Sequence, residues 1–325
     1  MASANVTTYK AFASERALGN PAGVIILPPP SDDTRHEQNA DFPYEIFPPA
    51  SNLQEIATKL DFPMTAFAAP LSQSVDSPDV PHFAVRWFNP SHEAPLCGHA
   101  TLALSQHLFG ALSNPPQTLR YLTRLHGIVS ASLYPSPFED AKLVGIEFPE
   151  LIDLPRVLQS DKRWGQLRKL FEQSTGSQWE GKGEPVGLFE ADQYLLLEYS
   201  PEIDLRGLVI DPMKLASLNK FIYIFQISTS SAEHIHTRVF NAFDDHFAED
   251  IATGSAHRAI IPHALSNAET ITRLKQYHPD FTGNTLKCLQ QSREGGELVV
   301  EWLRDAKVVR IMGKATLVGE DNIYI

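Results

Sequence analysis

Two short segments of this sequence carry residue types suited to moving protons. Cys97-Gly98-His99-Ala100-Thr101 sets a thiol and an imidazole on either side of a glycine, and Thr253-Gly254-Ser255-Ala256-His257 sets hydroxyls around another. Each segment reads as the opening of a helix. A helix start leaves backbone N–H groups unpaired and carries a partial positive charge, so two of them can hold a carboxylate without any Lys or Arg, and glycine lets the ligand approach the backbone. Gly98, Thr253, Gly254 and Ser255 are therefore candidate substrate-binding residues. His99 suits hydrogen-bond donation or proton transfer near neutral pH, and also suits a plain cap. Cys97 is a candidate thiolate base because a helix N-terminus lowers a thiol's pKa; a small buried residue is the alternative. Asp250, four residues before Gly254, is a candidate base or substrate-orienting group, or a cap.

The two segments belong to a longer match. Glu93, Gly98, Ala100 and Ala103 recur as Glu249, Gly254, Ala256 and Ala259 at one offset of 156 residues, and Leu104 and Ile260 extend it conservatively. A diagonal of this kind, in a shared loop-to-helix context, predicts a duplicated fold in which each lobe supplies the same corner.

The elements that position these corners alternate in type. Thr7 to Phe12 and Ala22 to Leu27 read as strands around the breaker Gly19-Asn20-Pro21, and residues 28 to 50, rich in proline, read as a loop or lid. Ser51 with Gln54 has the form of a capping box, followed by a stripe at Leu53, Ile56, Ala57 and Leu60. Strands are expected at Thr65 to Ala69 and His82 to Phe88, then a helix with Ala100, Ala103, Leu104 and Leu108 inward, ending at Gly110. The pattern restarts near residue 115 with strands at Thr118 to Leu125, Gly127 to Leu133 and Leu143 to Phe148, and a charged helix near Asp161 to Gln173. Further strands are expected at Tyr194 to Tyr199, Phe221 to Ile227, Ile235 to Phe240, Leu298 to Leu303, Val308 to Met312 and Ala315 to Val318, with a helix after Gly254. The expected division is 1–115 with 315–325 as one lobe and 116–314 as the other.

Composition narrows the function classes. The chain has 325 residues, 43% hydrophobic and 20% charged, enough to bury two cores. Its net charge of -12, with no local basic patch, disfavours nucleic acid. No stretch approaches a membrane span and no apolar leader opens the chain, so the expected location is cytoplasmic. Cys97 and Cys288 have no disulfide-framework or zinc spacing. His234-Ile235-His236 puts two imidazoles on one strand face, as metal ligands sometimes lie, but no third ligand is evident and solvent-facing histidines are expected. Gly295-Gly296 and Gly181-Lys182-Gly183 lack a phosphate-loop frame.

Arg86-Trp87-Phe88-Asn89-Pro90, the run Glu93 to Leu102, the run Glu249 to His257, Leu18-Gly19-Asn20-Pro21-Ala22-Gly23-Val24, Arg293-Glu294-Gly295-Gly296-Glu297-Leu298 and Ile311-Met312-Gly313-Lys314-Ala315 together resemble the PhzF-like family of phenazine-biosynthesis-type isomerases. The resemblance implies an α+β, diaminopimelate-epimerase-like fold: two pseudo-symmetric lobes, each a mixed sheet wrapped around a central helix, with the active site in the cleft between them. It implies no cofactor and no metal, a small-molecule substrate, and the homodimer found in the family. It adds Asn20 to the substrate-binding candidates. Epimerases of this fold use two facing cysteines; here the two positions hold Cys97 and Thr253, which excludes a two-thiol mechanism.

The family's usual acid/base is a glutamate in a segment reading NLSETAF. The matching segment here is Asp61-Phe62-Pro63-Met64-Thr65-Ala66-Phe67, with Met64 in the glutamate's place. A thioether carries no proton. General acid/base groups supply about 10²- to 10⁴-fold in rate, so another group must act, or catalysis is lost. Asp250 and His99, then Cys97, are the candidates, with Met64 as an apolar wall of the pocket. The expectation is a cofactor-independent isomerase or cyclase-type enzyme acting on a small carboxylate-bearing metabolite in a biosynthetic pathway. The alternative is a catalytically silent binding or regulatory protein.

Overall fold

In the computed structural model, residues 3–29, 42–71, 80–111, 116–176, 185–191, 193–241 and 249–324 are described. Backbone contacts divide the chain into two compact units, 1–148 with 310–325, and 149–309. In the first, β1 (Ser3–Ala11) and β2 (Asn20–Ile26) are antiparallel. Helix α1 (Ala50–Leu60) then leads to β3 (Met64–Leu71), which runs parallel to β2. Next come β4 (His82–Phe88), the two-residue β5 (Glu93–Ala94), α2 (Gly98–Ala111), β6 (Thr118–Thr123), β7 (Gly127–Pro135) and β8 (Lys142–Pro149).

The second unit holds α3 (Lys162–Thr175), β9 (Gly187–Glu190), β10 (Tyr194–Tyr199), β11 (Phe221–Ile227), β12 (Ile235–Asn241), β13 (Glu249–Asp250), α4 (His257–Ala264), α5 (Ala268–Tyr277), β14 (Thr285–Gln290) and β15 (Gly296–Leu303). After β16 (Val308–Gly313), β17 (Ala315–Tyr324) pairs antiparallel with β1 and so returns the chain to the first unit.

The duplication read from one short diagonal extends to the whole pairing scheme. β3 and β4 are antiparallel, β4 and β5 antiparallel, β4 and β6 parallel, β6 and β7 antiparallel. The same relations hold for β11 with β12, β12 with β13, β12 with β14, and β14 with β15. The openings match too: β9 is antiparallel to β10, and β10 parallel to β11. Residues 116–148 belong to the first unit and not to the second, contrary to the expected boundary, because β6 pairs parallel with β4 over Arg120 to Thr123.

Each sheet is covered on both faces. In the first unit Ile25, Phe67, Ala69, Ala84 and Phe88 meet Leu53, Ile56 and Ala57 of α1, each large side chain contributing about 1.5–3 kcal/mol by leaving water. The opposite face holds α2, central to β1, β2 and β3. In the second unit Leu195, Leu197, Ile222, Ile224 and Phe240 pack against Trp164, Leu167 and Phe171 of α3. Its other face carries α4 and α5. There the His263 ring lies 4.1 Å from that of Phe189, and buried Glu198 accepts from Thr270 Oγ1 at 2.8 Å and Arg273 Nε at 2.9 Å.

Several expectations need correcting. The Ser51–Gln54 capping box does not form: α1 begins at Ala50 after Pro49 with no side-chain cap, and Gln54 Nε2 donates to the Asn89 carbonyl at 2.7 Å. Proline fixes the entry geometry in place of the serine hydroxyl. The short strands β5, β9 and β13, the strand β14 and the helix α5 are absent from the pattern reading. Part of the proline-rich segment expected as a loop or lid, residues 30–41, lies outside the described residues. None of the described helices is long and apolar enough to cross a membrane.

Gly19 has a specific role. Its φ is +78°, and a Cβ there would lie 2.7 Å from the Ala11 carbonyl oxygen. Gly19→Ala is expected to cost about 1–3 kcal/mol, read as a lower urea midpoint at unchanged slope. A wild-type midpoint would show that the turn relaxes around a methyl group.

Candidate functional site

The first corner is built where β2 begins and α2 begins. Cys97 and His99 are both buried, and the Cys97 carbonyl accepts from the Thr101 hydroxyl at 2.5 Å, which ties the first helical turn together. His99 Nδ1 lies 3.3 Å from Asn20 Nδ2 and 3.4 Å from Cys97 Sγ. An amide N–H donates, so Nδ1 accepts, and Nε2 is the ring nitrogen that bears the proton. Asn20 and Cys97 thus orient the imidazole, while Gly98 opens α2 without a side chain. Met64 is the first residue of β3 and registers with Ala22 of β2. It is half-buried on the sheet face shared by Ala22 and Asn20, the face that α2 covers.

The second corner holds Asp250, Thr253, Gly254 and Ser255 between β13 and α4. Thr253 Oγ1 donates to Asp250 Oδ2 at 2.6 Å. Gln290, at the end of β14, clamps the same turn from both sides: its Oε1 accepts from Thr253 N at 2.8 Å and its Nε2 donates to the Asp250 carbonyl at 2.6 Å. The Gly254 carbonyl accepts from His257 N and the Ser255 carbonyl from Arg258 N, which winds the chain into the helix. Asp250 is only half-buried, so its carboxylate is oriented yet partly open. Gln290 is missing from the sequence reading; the alternation Leu286, Cys288, Gln290 is the signal that sets it on the buried side of β14.

The glutamates of the repeat support the corners. Arg86 Nε and Nη2 fork onto Glu93 at 2.9 and 2.7 Å, and Arg238 Nε and Nη2 fork onto Glu249 at 2.7 and 2.8 Å. In both units the guanidinium also lies over a phenylalanine two residues on, Phe88 at 5.1 Å and Phe240 at 5.0 Å. Such bidentate pairs fix orientation as well as charge. Because Arg238 is almost fully buried, Glu249→Gln is expected to cost about 2–3 kcal/mol, read by urea unfolding. Adding Arg238→Met should recover part of that loss; a double variant no more stable than the single one would remove the fork from this role.

His234 and His236 are engaged by protein groups. The backbone N–H of Lys287 donates to His234 Nδ1 at 2.9 Å, and His236 Nε2 lies 2.8 Å from Glu233 Oε1. Among the described residues no three His, Cys, Asp or Glu side chains are grouped to hold a metal. Cys288 is fully buried, and burial pushes its thiol up.

A family model described as phenazine biosynthesis-like protein matches residues 9–321. A phenazine biosynthesis-like domain-containing protein of Bos taurus is 26% identical over 325 residues, covering 96% of each chain. A Pseudomonas aeruginosa protein named as an uncharacterized isomerase is 29% identical over 274 residues, 84% of this chain and 87% of that one. Among solved structures, a PhzF-family phenazine biosynthesis protein from Bacillus anthracis superposes with a TM-score of 0.72 at 20% identity, and one from Enterococcus faecalis with 0.71 at 23%, both covering 100% of each chain. A probable proline racemase from Agrobacterium radiobacter superposes at 0.54 with 13% identity, covering 99% of this chain and 93% of that one.

Proposed function

The chain belongs to the phenazine biosynthesis-like family, and from that premise we propose that it is an isomerase moving a proton on a small carboxylate-bearing metabolite, without a cofactor, in a biosynthetic pathway. An isomerisation of this kind takes a proton from one atom of the substrate and returns one to another. Asp250 is assigned as the base; His99, which bears its proton on Nε2, and Cys97 are the other acid/base candidates. The observation that carries the assignment is the Thr253–Asp250–Gln290 network: Thr253 Oγ1 donates to the partly open carboxylate at 2.6 Å, and Gln290 holds the backbone of the same turn at 2.6 and 2.8 Å. A general base must be held in place and still be reached by its substrate. Met64 leaves the family's usual base position without an ionisable group, which supports moving that role to Asp250.

The test is deuterium uptake. A panel of small carboxylates is incubated with the protein in D2O and followed by NMR. Enzyme-dependent incorporation, or product formed with label at a new carbon, is the expected result. Product without label would replace the proton shift by an orientation-driven rearrangement or cyclisation. Neither signal across the panel would replace the enzyme by a ligand-binding protein, the reading that Met64 otherwise favours.

A further inference from the structure

Because the two units share one pairing scheme, residues at matching places can be compared directly. On the α2 face of the first sheet, Ala66 registers with Trp87 and Trp87 with Ala94. On the α4 face of the second, Tyr223 registers with Val239 and Val239 with Asp250. Continuing the 156-residue offset into the helices, Leu102 of α2 corresponds to Arg258 of α4. Three buried apolar residues, Ala66, Ala94 and Leu102, are thus matched by a phenol, a carboxylate and a guanidinium. The fold itself asks for no polarity here.

Arg258, half-buried, also differs from three other arginines of limited exposure. Arg86, Arg238 and Arg273 each hold a glutamate within 2.7 Å. Arg258 Nε donates to the Pro149 carbonyl at 2.6 Å, and among the described residues no carboxylate pairs with its guanidinium. Loss of hydration pushes the guanidinium pKa down, and its electrostatic neighbours are Tyr194 and Tyr223. The Tyr223 hydroxyl feels Arg258 and Asp250 in opposite directions, and its burial pushes the pKa up, so it stays a neutral donor. The Tyr194 ring lies 5.6 Å from that of Tyr223 and 5.8 Å from that of Phe221. Arg258, Tyr194 and Asp250 all keep part of their surface open. A desolvated cation without a counter-charge is costly unless an anion completes it.

We propose that Arg258, with the hydroxyls of Tyr194 and Tyr223, is a carboxylate-binding subsite beside Asp250 on the α4 face of the second unit. The inference deepens the isomerase reading: it names the group by which the substrate is held, and it depends on that reading only for what Asp250 does next. A planar carboxylate takes two N–H donors from one guanidinium, with the phenols donating to its remaining lone pairs.

The experiment follows acetate binding to the full chain through the arginine Nε–Hε NMR signals, at constant ionic strength, with chloride and inorganic phosphate as comparison ions. Wild type should give a saturable shift of the Arg258 signal with acetate. Arg258→Leu, which installs the first unit's residue, should weaken acetate binding at least tenfold while melting at or above the wild-type temperature. Tyr223→Phe should weaken it severalfold with the fold intact. Acetate affinity unchanged in Arg258→Leu, a lower melting temperature or failure to fold in that variant, or equal shifts with chloride, would each overturn the subsite and leave Arg258 as a structural contact to Pro149. Preference for phosphate over acetate would overturn the carboxylate assignment. Binding does not require turnover, so an intact subsite with no deuterium uptake would count against the isomerase reading alone.

Discussion

Asp250→Asn is expected to lower deuterium uptake or turnover by about 10²- to 10⁴-fold while leaving the melting temperature close to that of wild type. The amide has the carboxylate's shape, and its oxygen can still accept from Thr253 Oγ1, while Gln290 bonds the Asp250 carbonyl and the Thr253 N–H and not the Asp250 side chain. What disappears is the ability to take a proton. The loss should fall on kcat and kcat/KM together, the pattern of an interaction made in the transition state. Cys97→Ala is a useful contrast: the thiol touches His99 Nδ1 at 3.4 Å, but Asn20 holds the same nitrogen at 3.3 Å, so a loss of under about tenfold is expected. An Asp250→Asn variant at wild-type rate, or a Cys97→Ala variant as impaired as Asp250→Asn, would transfer the base to another group.

The second large effect is on stability in acid. His257 is fully buried at the start of α4, and its Nδ1–H donates to the Thr253 carbonyl at 2.9 Å; its Nε2 has no partner among the described residues, so the ring is held neutral. Burial pushes its pKa from 6.5 down to about 4, with His234 and His263 of the same unit lowered to about 4 for the same chief reason. A histidine with a lowered pKa in the folded state binds fewer protons there than when unfolded. Its contribution to stability is complete above the unfolded value of 6.5 and is lost as pH falls toward and through about 4. For His257 alone the loss is about 3 kcal/mol, at about 1.4 kcal/mol per pH unit. Urea midpoints of the intact chain should therefore fall steeply between pH 6.5 and 4. His257→Gln should flatten the curve, since an amide can serve the Thr253 carbonyl without titrating. An equally steep curve in that variant would assign the acid sensitivity to other groups.

Much of the candidate site is legible in residue types alone. The thiol, imidazole and hydroxyls around Gly98 and Gly254 announce themselves by residue type, and the strands Tyr194–Tyr199 and Phe221–Ile227 fall where their apolar runs begin and end. The repeated Glu93 and Glu249 were visible as identities. Their partners were not, because a fork from Arg86 or Arg238 depends on which residues face each other across β4–β5 and β12–β13, and register is a property of strand pairs. Ser51 misled for a related reason: the chain meets α1 through Pro49, and Gln54 finds a better acceptor in Asn89 of a distant loop than in the helix end.

By itself the sequence determined what is chemical and what repeats: local composition decides whether a residue carries a proton, and an offset of 156 exposes the duplication. Only the tertiary structure decided orientation. It turned His99 by Asn20, locked Asp250 through Gln290 forty residues away, and set Arg258 near Tyr194 and Tyr223 with no paired carboxylate among the described residues. Hydrogen-bond geometry and desolvation arise between segments remote in the chain, and the pattern along any one segment does not encode them.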